Sequence, residues 1–293
     1  MNDDDPAVQM TLQEAADQLG VHYMTAYRYV RLGQLPASKV GGTWRVLRRD
    51  VEALRGDDAT PRVVSRKRVP WSDRLEQRLL AGDGGGAWGV VESAMAAGAE
   101  LHEIYVDVLS PAMASIGQRW ERGEIDIAVE HRASGIAMRI VGRLGPRFTR
   151  RGRPRGTVVV GAPAGERHNL PVAMVADLIR QGGWEVSDLG VDTPSASFVH
   201  AAKATDDLVA VGISVTTPEC LEAAAEALGA LRQAFGAEVL LFVGGRAVVD
   251  ADHARSLGAD DSAADGVGLV TLLARHGRRM MGSTDDLPEA VGD

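Results

Sequence analysis

Between Thr157 and Leu257 the sequence alternates two kinds of segment. Thr157–Ala162, Val186–Leu189, Leu208–Ser214 and Glu238–Gly244 are short apolar runs, mostly β-branched or aliphatic. Leu170–Gln181, Ser195–Ala204, Pro218–Phe235 and Asp250–Leu257, which separate and follow them, carry helical patterns. Strands separated by whole helices cannot pair as hairpins and must cross over. The pattern therefore dictates a parallel, doubly wound sheet with helices on both faces. Residues 156–280 are assigned to this α/β domain and residues 281–293 to an acidic tail.

Upstream, over residues 71–149, every strong period is helical. Leu75, Leu79 and Leu80, then Val90, Val91 and Met95, then Ile104, Val108, Leu109, Met113 and Ile116, then Ile127 and Ile140 form apolar stripes. Glycines fall at the breaks (Gly82–Gly86, Gly98 and Gly123). Four helices of this length make a bundle. The arginine-rich stretch Arg150–Arg155 reads as a basic linker into the sheet, and residues 57–70, rich in Arg, Asp and Pro, as a linker before the bundle.

Residues 8–56 have a third character. Thr11-Leu-Gln-Glu14 is a capping box, with Thr11 as N-cap, and Gly20 stops the helix it opens. A second short helix ends at Gly33, Pro36 forbids its continuation, and Lys39–Val46 reads as a two-stranded wing turning at Gly41-Gly42. Asp50–Leu54 closes the unit as a short helix. This segment resembles the winged helix-turn-helix heads of excisionase-like and MerR-like DNA-binding proteins. The resemblance implies that Tyr23, Thr25, Arg28 and Arg31 face DNA, with Lys39, Thr43 and Arg45 on the wing. In such heads the start of the second helix reads base edges, and Arg or Lys contact phosphates. One head covers a half-site, so a self-associating body is expected. Trp44 is expected partly in the core, holding the wing to the helices.

Charge bears on that reading. The net charge of −8 argues at face value against a polyanionic partner, but residues 11–68 hold eleven Lys or Arg against six acids. Phosphate binding needs local cations, not a basic whole. The single cysteine, Cys220, rules out a disulfide framework and a cysteine zinc site. No apolar run reaches the ~18 residues of a membrane span, and the start is acidic where a secretory signal is basic and then apolar. A cytoplasmic location with no membrane partner is the expectation.

The chemistry concentrates after the first strand of the sheet, in Gly165-Glu166-Arg167-His168-Asn169-Leu170-Pro171. Ligands of open α/β sheets bind beyond the C-terminal ends of the strands. A carboxylate two residues before an imidazole can accept its N–H, fix the tautomer and make the other nitrogen a better metal donor. One histidine and one acid are too few for a zinc site but suffice where a macrocycle supplies the remaining ligands. A lone loop histidine is, taken by itself, more often a polar surface residue.

The surroundings of His168 resemble the Asp-x-His-x-x-Gly signature of cobalamin-binding domains, in a Glu-x-His variant. As in that family, Asp188-Leu-Gly-Val-Asp-Thr-Pro194, Ser214-Val-Thr216 and Gly244-Gly245 follow at the ends of later strands. In the bundle, Trp120 followed after nine residues by Glu130-His131 is similar to the pattern of light-sensing cobalamin repressors of the CarH type. The resemblance implies a flavodoxin-like sheet of the cobalamin-binding type, a four-helix-bundle cap and adenosylcobalamin as chromophore. His168 becomes the lower axial ligand of cobalt. Ser214 and Thr216 bond the displaced tail, Gly244 and Gly245 let backbone approach it, and Glu166, Arg167 and Asp192 complete the lower site. Trp120 packs on the adenosyl group, and Glu130 and His131 hydrogen-bond to it. Two positions depart from the pattern. Pro171 stands where the signature closes with Gly, and Glu121 stands where the photoreceptors often have a His after the Trp.

Four functions follow from these readings. The first is a cobalamin-binding transcriptional regulator, a light-responsive repressor whose cofactor state controls dimer-to-tetramer assembly and binding to a double-stranded operator. The second is an occupancy sensor for cobalamin, methylcobalamin or another tetrapyrrole. The third is a corrinoid methyl carrier of a methyltransferase system. The fourth is a regulator that has lost its cofactor. No nucleophile–base pair, paired carboxylates or phosphate loop is evident, so no independent catalysis is expected.

Overall fold

The computed structural model describes residues 9–19, 26–27, 29–30, 35–40, 43–55, 70–263 and 266–282. They fall into two compact units, divided between Val69 and Pro70.

The first unit contains β1 (Gln9–Thr11), α1 (Leu12–Leu19), β2 (Ala37–Val40), β3 (Thr43–Leu47) and α2 (Arg48–Arg55). The capping box forms as the sequence predicts: the Glu14 N–H donates to Thr11 Oγ1 at 3.2 Å, and the Thr11 N–H donates to Glu14 Oε2 at 2.7 Å. β2 and β3 make the wing, with Val40 opposite Thr43. The sheet is three-stranded where the sequence predicts two, because β1 pairs antiparallel with β3 in the order β1-β3-β2. Three residues are too few to display a strand's alternation. Leu12, Ala15, Ala16, Leu35, Val46 and Val51 are buried in its core. Trp44 packs half-buried against them, with Tyr27 edge-on at 6.3 Å.

The second unit opens with the bundle: α3 (Trp71–Ala81), α4 (Gly84–Ala96), a third helix in three parts, and α7 (Ile127–Leu144). Asp83 caps α4 by accepting from the Gly86 N–H, and Asp126 caps α7 by accepting from the Ala128 N–H. The third helix runs as α5 (Leu101–Glu103), a π-helical segment (Ile104–Leu109) and α6 (Ser110–Glu121). The π segment, a geometry frequent at functional sites, carries the fully buried Tyr105. The Tyr105 hydroxyl donates to Asp177 Oδ2 at 2.7 Å, and its ring stacks on Phe148 with centroids 4.7 Å apart.

The sheet is mixed into the same unit. Its strands are β4 (Thr157–Gly161), β5 (Glu185–Asp188), β6 (Leu208–Ser214), β7 (Leu240–Gly244) and β8 (Asp261–Ser262). Its helices are α8 (Asn169–Gln181), α9 (Ser195–Lys203), α10 (Leu221–Phe235), α11 (Ala251–Ser256) and α12 (Gly266–Gly282). The strands are parallel in the order β5-β4-β6-β7-β8, which is the flavodoxin-like winding. β8 and α12 extend beyond the last element legible in the sequence.

α8 joins bundle and sheet. Met174 and Leu178, with Leu170 and Ala173, pack into the bundle core, whereas Val172, Ala176 and Ile179 pack into the core under the sheet. Among the described residues no helix is long and apolar enough to cross a membrane.

Candidate functional site

The chain leaves β4 toward β5 on one side of the sheet and leaves β6 toward β7 on the other. The crevice beyond the C-terminal ends of β4 and β6 is thus the topological switch point, where ligands of such sheets bind. Two loops meet there, and Glu166 connects them.

Glu166 is 1% exposed and accepts hydrogen bonds on both oxygens. Oε2 accepts from the backbone N–H groups of Thr216 (2.7 Å) and Thr217 (2.8 Å) in the loop after β6. Oε1 lies 2.6 Å from His168 Nδ1 and accepts from the His168 N–H at 3.1 Å and the Thr217 hydroxyl at 3.3 Å. Burial works to raise the Glu166 pKa, but the bonds from His168, Thr217 and Thr216 outweigh it and hold the carboxyl below its ordinary value. An ionised Glu166 can only accept, so the hydrogen-bond network assigns the His168 proton to Nδ1. In the neutral tautomer Nε2 is then the free lone-pair donor, on a side chain that is 57% exposed.

The loop is anchored from a second side. The Gly165 N–H donates to Asp192 Oδ1 at 2.7 Å, and the Asp192 N–H donates to the Glu166 carbonyl at 2.9 Å. Asp192 holds φ +54° to do so, a conformation Asp tolerates better than most residues. His168 then sits at the start of α8, and Pro171 falls in its first turn. N–H groups there have no intrahelical partner, so proline removes no bond. Arg167 is exposed on the loop.

Ser214 ends β6 opposite Gly244, which ends β7. Gly245 has φ +111°, and a Cβ there would lie 2.3 Å from the Val215 carbonyl oxygen. Gly245 is therefore demanded by how closely the chain passes over the loop after β6, a reason internal to the fold.

From the bundle, Trp120 stands near the end of α6 and is 44% exposed. The adjacent Glu121 accepts from an Arg246 guanidinium nitrogen at 2.7 Å, directly after Gly244-Gly245. This ion pair fastens the end of α6 to the C-terminal edge of the sheet. Glu130 and His131 lie in the first turns of α7 and pair with each other, Glu130 Oε2 to His131 Nδ1 at 2.8 Å, while Ser134 donates to Glu130 Oε1 at 2.6 Å.

Two contributors escape sequence reasoning. Thr217, next to the expected Thr216, is the residue whose side chain reaches the His168–Glu166 pair, with Oγ1 3.3 Å from His168 Nδ1. Its neighbour Thr216 gave the only signal for it. Arg246 pairs with a residue 125 positions away, for which sequence offers no signal at all.

In the head, the expected DNA-facing residues Tyr23, Thr25, Arg28 and Arg31 lie outside the described residues. Lys39 and Thr43 stand on the hairpin, where Lys39 pairs with Trp44 and Thr43 with Val40 in register. Arg45 stands on β3 between Trp44 and Val46, whose side chains go to the core. Alternation turns Arg45 to the other face, close enough to Glu14 to help hold its carboxyl below the ordinary value, after the hydrogen bonds from Thr11.

The donor chemistry at the switch point is one imidazole nitrogen backed by a buried carboxylate. This fits a metal that brings its remaining ligands with it. Comparison with known proteins points the same way. Residues 71–144 and 156–272 each match a family described as B12 binding domain, and residues 10–55 match a helix-turn-helix domain family. Trimethylamine corrinoid protein 2 of Methanosarcina acetivorans is 30% identical over 60% of this chain and 84% of its own length. Trimethylamine corrinoid protein 1 of the same organism is 29% identical over 63% of this chain and 88% of its own. The solved structure of the Methanosarcina barkeri monomethylamine corrinoid protein shares the fold with a TM-score of 0.60 at 21% identity, covering 73% of this chain and 98% of that one.

Proposed function

Because the chain belongs to the family of corrinoid proteins, we propose that it is a DNA-binding regulator whose signal is the corrinoid held on His168. One observation carries the cofactor half of this reading: Glu166, buried and ionised, holds the His168 proton on Nδ1 and leaves Nε2 exposed at the switch point. The helix-turn-helix match at residues 10–55, outside both B12-binding matches, supports the DNA half.

When bound, a corrinoid supplies cobalt with an exchangeable upper ligand. This chain's residues do the rest. His168 would hold the cobalt, and Glu166 and Thr217, which hydrogen-bond at its ring, would orient the imidazole and strengthen it as a donor. Ser214, Thr216, Gly244 and Gly245 border the crevice where the tail is received. Trp120, Glu130 and His131 would contact the corrinoid from the bundle, and the exposed indole of Trp120 suits a large flat group such as adenosyl. The Glu121 carboxylate is engaged by Arg246, so it fastens the cap where the photoreceptors place a histidine. A light-sensitive form of the bound corrinoid would let illumination shift the chain's self-association and its hold on the operator.

A second reading, a corrinoid carrier of a methyltransferase system, is favoured by the names of the relatives. One experiment separates the two. The protein is purified in the dark and loaded with adenosylcobalamin, and absorbance and mass are recorded before and after green light. A corrin spectrum with a light-triggered change in mass supports the photoreceptor. A corrin spectrum with unchanged assembly moves the reading to an occupancy sensor or methyl carrier. No corrin spectrum overturns the cofactor assignment.

A further inference from the structure

From His131 to Gly165 the sequence contains eight arginines and neither an aspartate nor a glutamate, on a chain whose net charge is −8. Arg147, Arg150, Arg151, Arg153 and Arg155 fall within nine residues at the junction of bundle and sheet, and all five are exposed. Among the described residues none of them is in an ion pair.

The surroundings hold several of these side chains without neutralising them. Arg147 donates to the thioether sulfur of Met95 at 3.1 Å. The guanidinium of Arg155 lies 5.0 Å from the ring centroid of Trp184, and upstream that of Arg143 lies 3.8 Å from Trp88. Such contacts fix a guanidinium in place and leave its charge available. Arg150 and Arg155 also converge over Gly183, each within 4 Å of where its Cβ would stand. Like charges brought together with no carboxylate at ion-pair distance are repulsive, although Glu185 and Asp207 stand at the same edge of the sheet, and an external anion relieves the repulsion.

The position excludes the corrinoid as that anion. Arg155 precedes β4, and Gly183 precedes β5, whereas Glu166 and His168 follow β4. In a parallel sheet these lie on opposite edges. The cluster is thus at the N-terminal edge, away from the switch point.

We propose that this arginine cluster is a second phosphate-binding surface of the protein, which takes the backbone of duplex DNA. The inference rests on the DNA-binding reading above. Guanidinium groups at this density and unpaired with carboxylates among the described residues suit repeated phosphates, and they add affinity and salt dependence without reading sequence.

The test uses the full chain and a short fluorescent duplex, with the logarithm of the binding constant measured against the logarithm of salt concentration. Replacing Arg150, Arg151 and Arg153 together by Gln should flatten that slope by roughly 2–3, since each phosphate contact contributes about 0.9. Replacing the same three by Lys should restore it, because a lysine keeps the point charge. An unchanged slope in the Gln variant, with Arg28→Ala still weakening binding, overturns the second surface and leaves the head's role intact. Failure of every form, wild type included, to bind the duplex overturns both. Loss of poly-glutamate binding in the Gln variant, with DNA binding unchanged, assigns the surface to an acidic protein and overturns the proposal.

Discussion

Glu121 and Arg246 are 125 residues apart in sequence, yet a carboxylate oxygen of one lies 2.7 Å from a guanidinium nitrogen of the other. Both side chains are about half exposed, at 48% and 57%. The bond spans from the last residue of α6, next to Trp120, to the loop after β7. An exposed pair of this kind contributes only about 0.2–1 kcal/mol and is screened by salt. Such a fastening is weak enough to open.

Arg246→Glu should therefore leave the unfolding free energy nearly unchanged while loosening the end of α6. Hydrogen exchange in residues 117–121 should quicken, and the charge swap of Arg246→Glu with Glu121→Arg should reverse the change. A double-mutant cycle should give a coupling below about 1 kcal/mol.

Glu166→Ala should be far more damaging to cofactor binding. It removes the acceptor of the His168 ring and strands the Thr216 and Thr217 N–H groups. Loss of such a supporting partner typically lowers metal affinity about 10–100-fold, read here by absorbance titration with a corrinoid. His168→Ala should change the spectrum of the loaded protein itself, by removing the imidazole that would hold the cobalt.

Tyr105→Phe should destabilise the second unit by about 1–3 kcal/mol, the cost of leaving the buried Asp177 oxygen without its donor. The effect should appear in denaturant unfolding and leave duplex binding by the head unaltered.

Asp177 also gives a pH dependence of definite sign. Burial raises its pKa above 3.8, the repulsion of Asp188 adds to this, and the Tyr105 bond and the Arg180 charge only partly oppose it. The folded state thus holds the proton more tightly than the unfolded chain. Its contribution to stability is fully present below the unfolded pKa and is lost as pH rises through the raised folded value. Asp177→Asn should flatten that limb of the stability profile in unfolding measured across pH.

Gly245→Ala should cost at least about 1–3 kcal/mol from the left-handed backbone alone, and more because its Cβ would press on the Val215 carbonyl. A fall in melting temperature, set against no fall in Gly229→Ala, where a Cβ inside α10 meets nothing, would check it.

What the sequence made legible is what depends on local spacing. The strand–helix alternation after Thr157 encodes the winding of the sheet, and the two-residue step from Glu166 to His168 is short enough for the carboxylate to reach the ring. Thr11 and Glu14 announce their capping box for the same reason. The π segment at Ile104–Leu109 was hidden, because Ile104, Val108 and Leu109 satisfy a helical stripe whichever backbone register joins them. β1 and β8 were too short for any period to appear. The Tyr105–Asp177 and Glu121–Arg246 bonds arise from tertiary placement, which pattern does not encode.

The two sides of α8 carry a last consequence, for how such a chain can be assembled from parts over evolutionary time. With one side of the helix in the bundle core and the other under the sheet, neither partner can be exchanged for a foreign domain without exposing a full apolar stripe. Bundle and sheet must be inherited as one piece. The head, with its own core of Leu12, Ala15, Ala16, Val46 and Val51, is under no such constraint and can be gained or lost by joining a gene fragment at the boundary near Pro70.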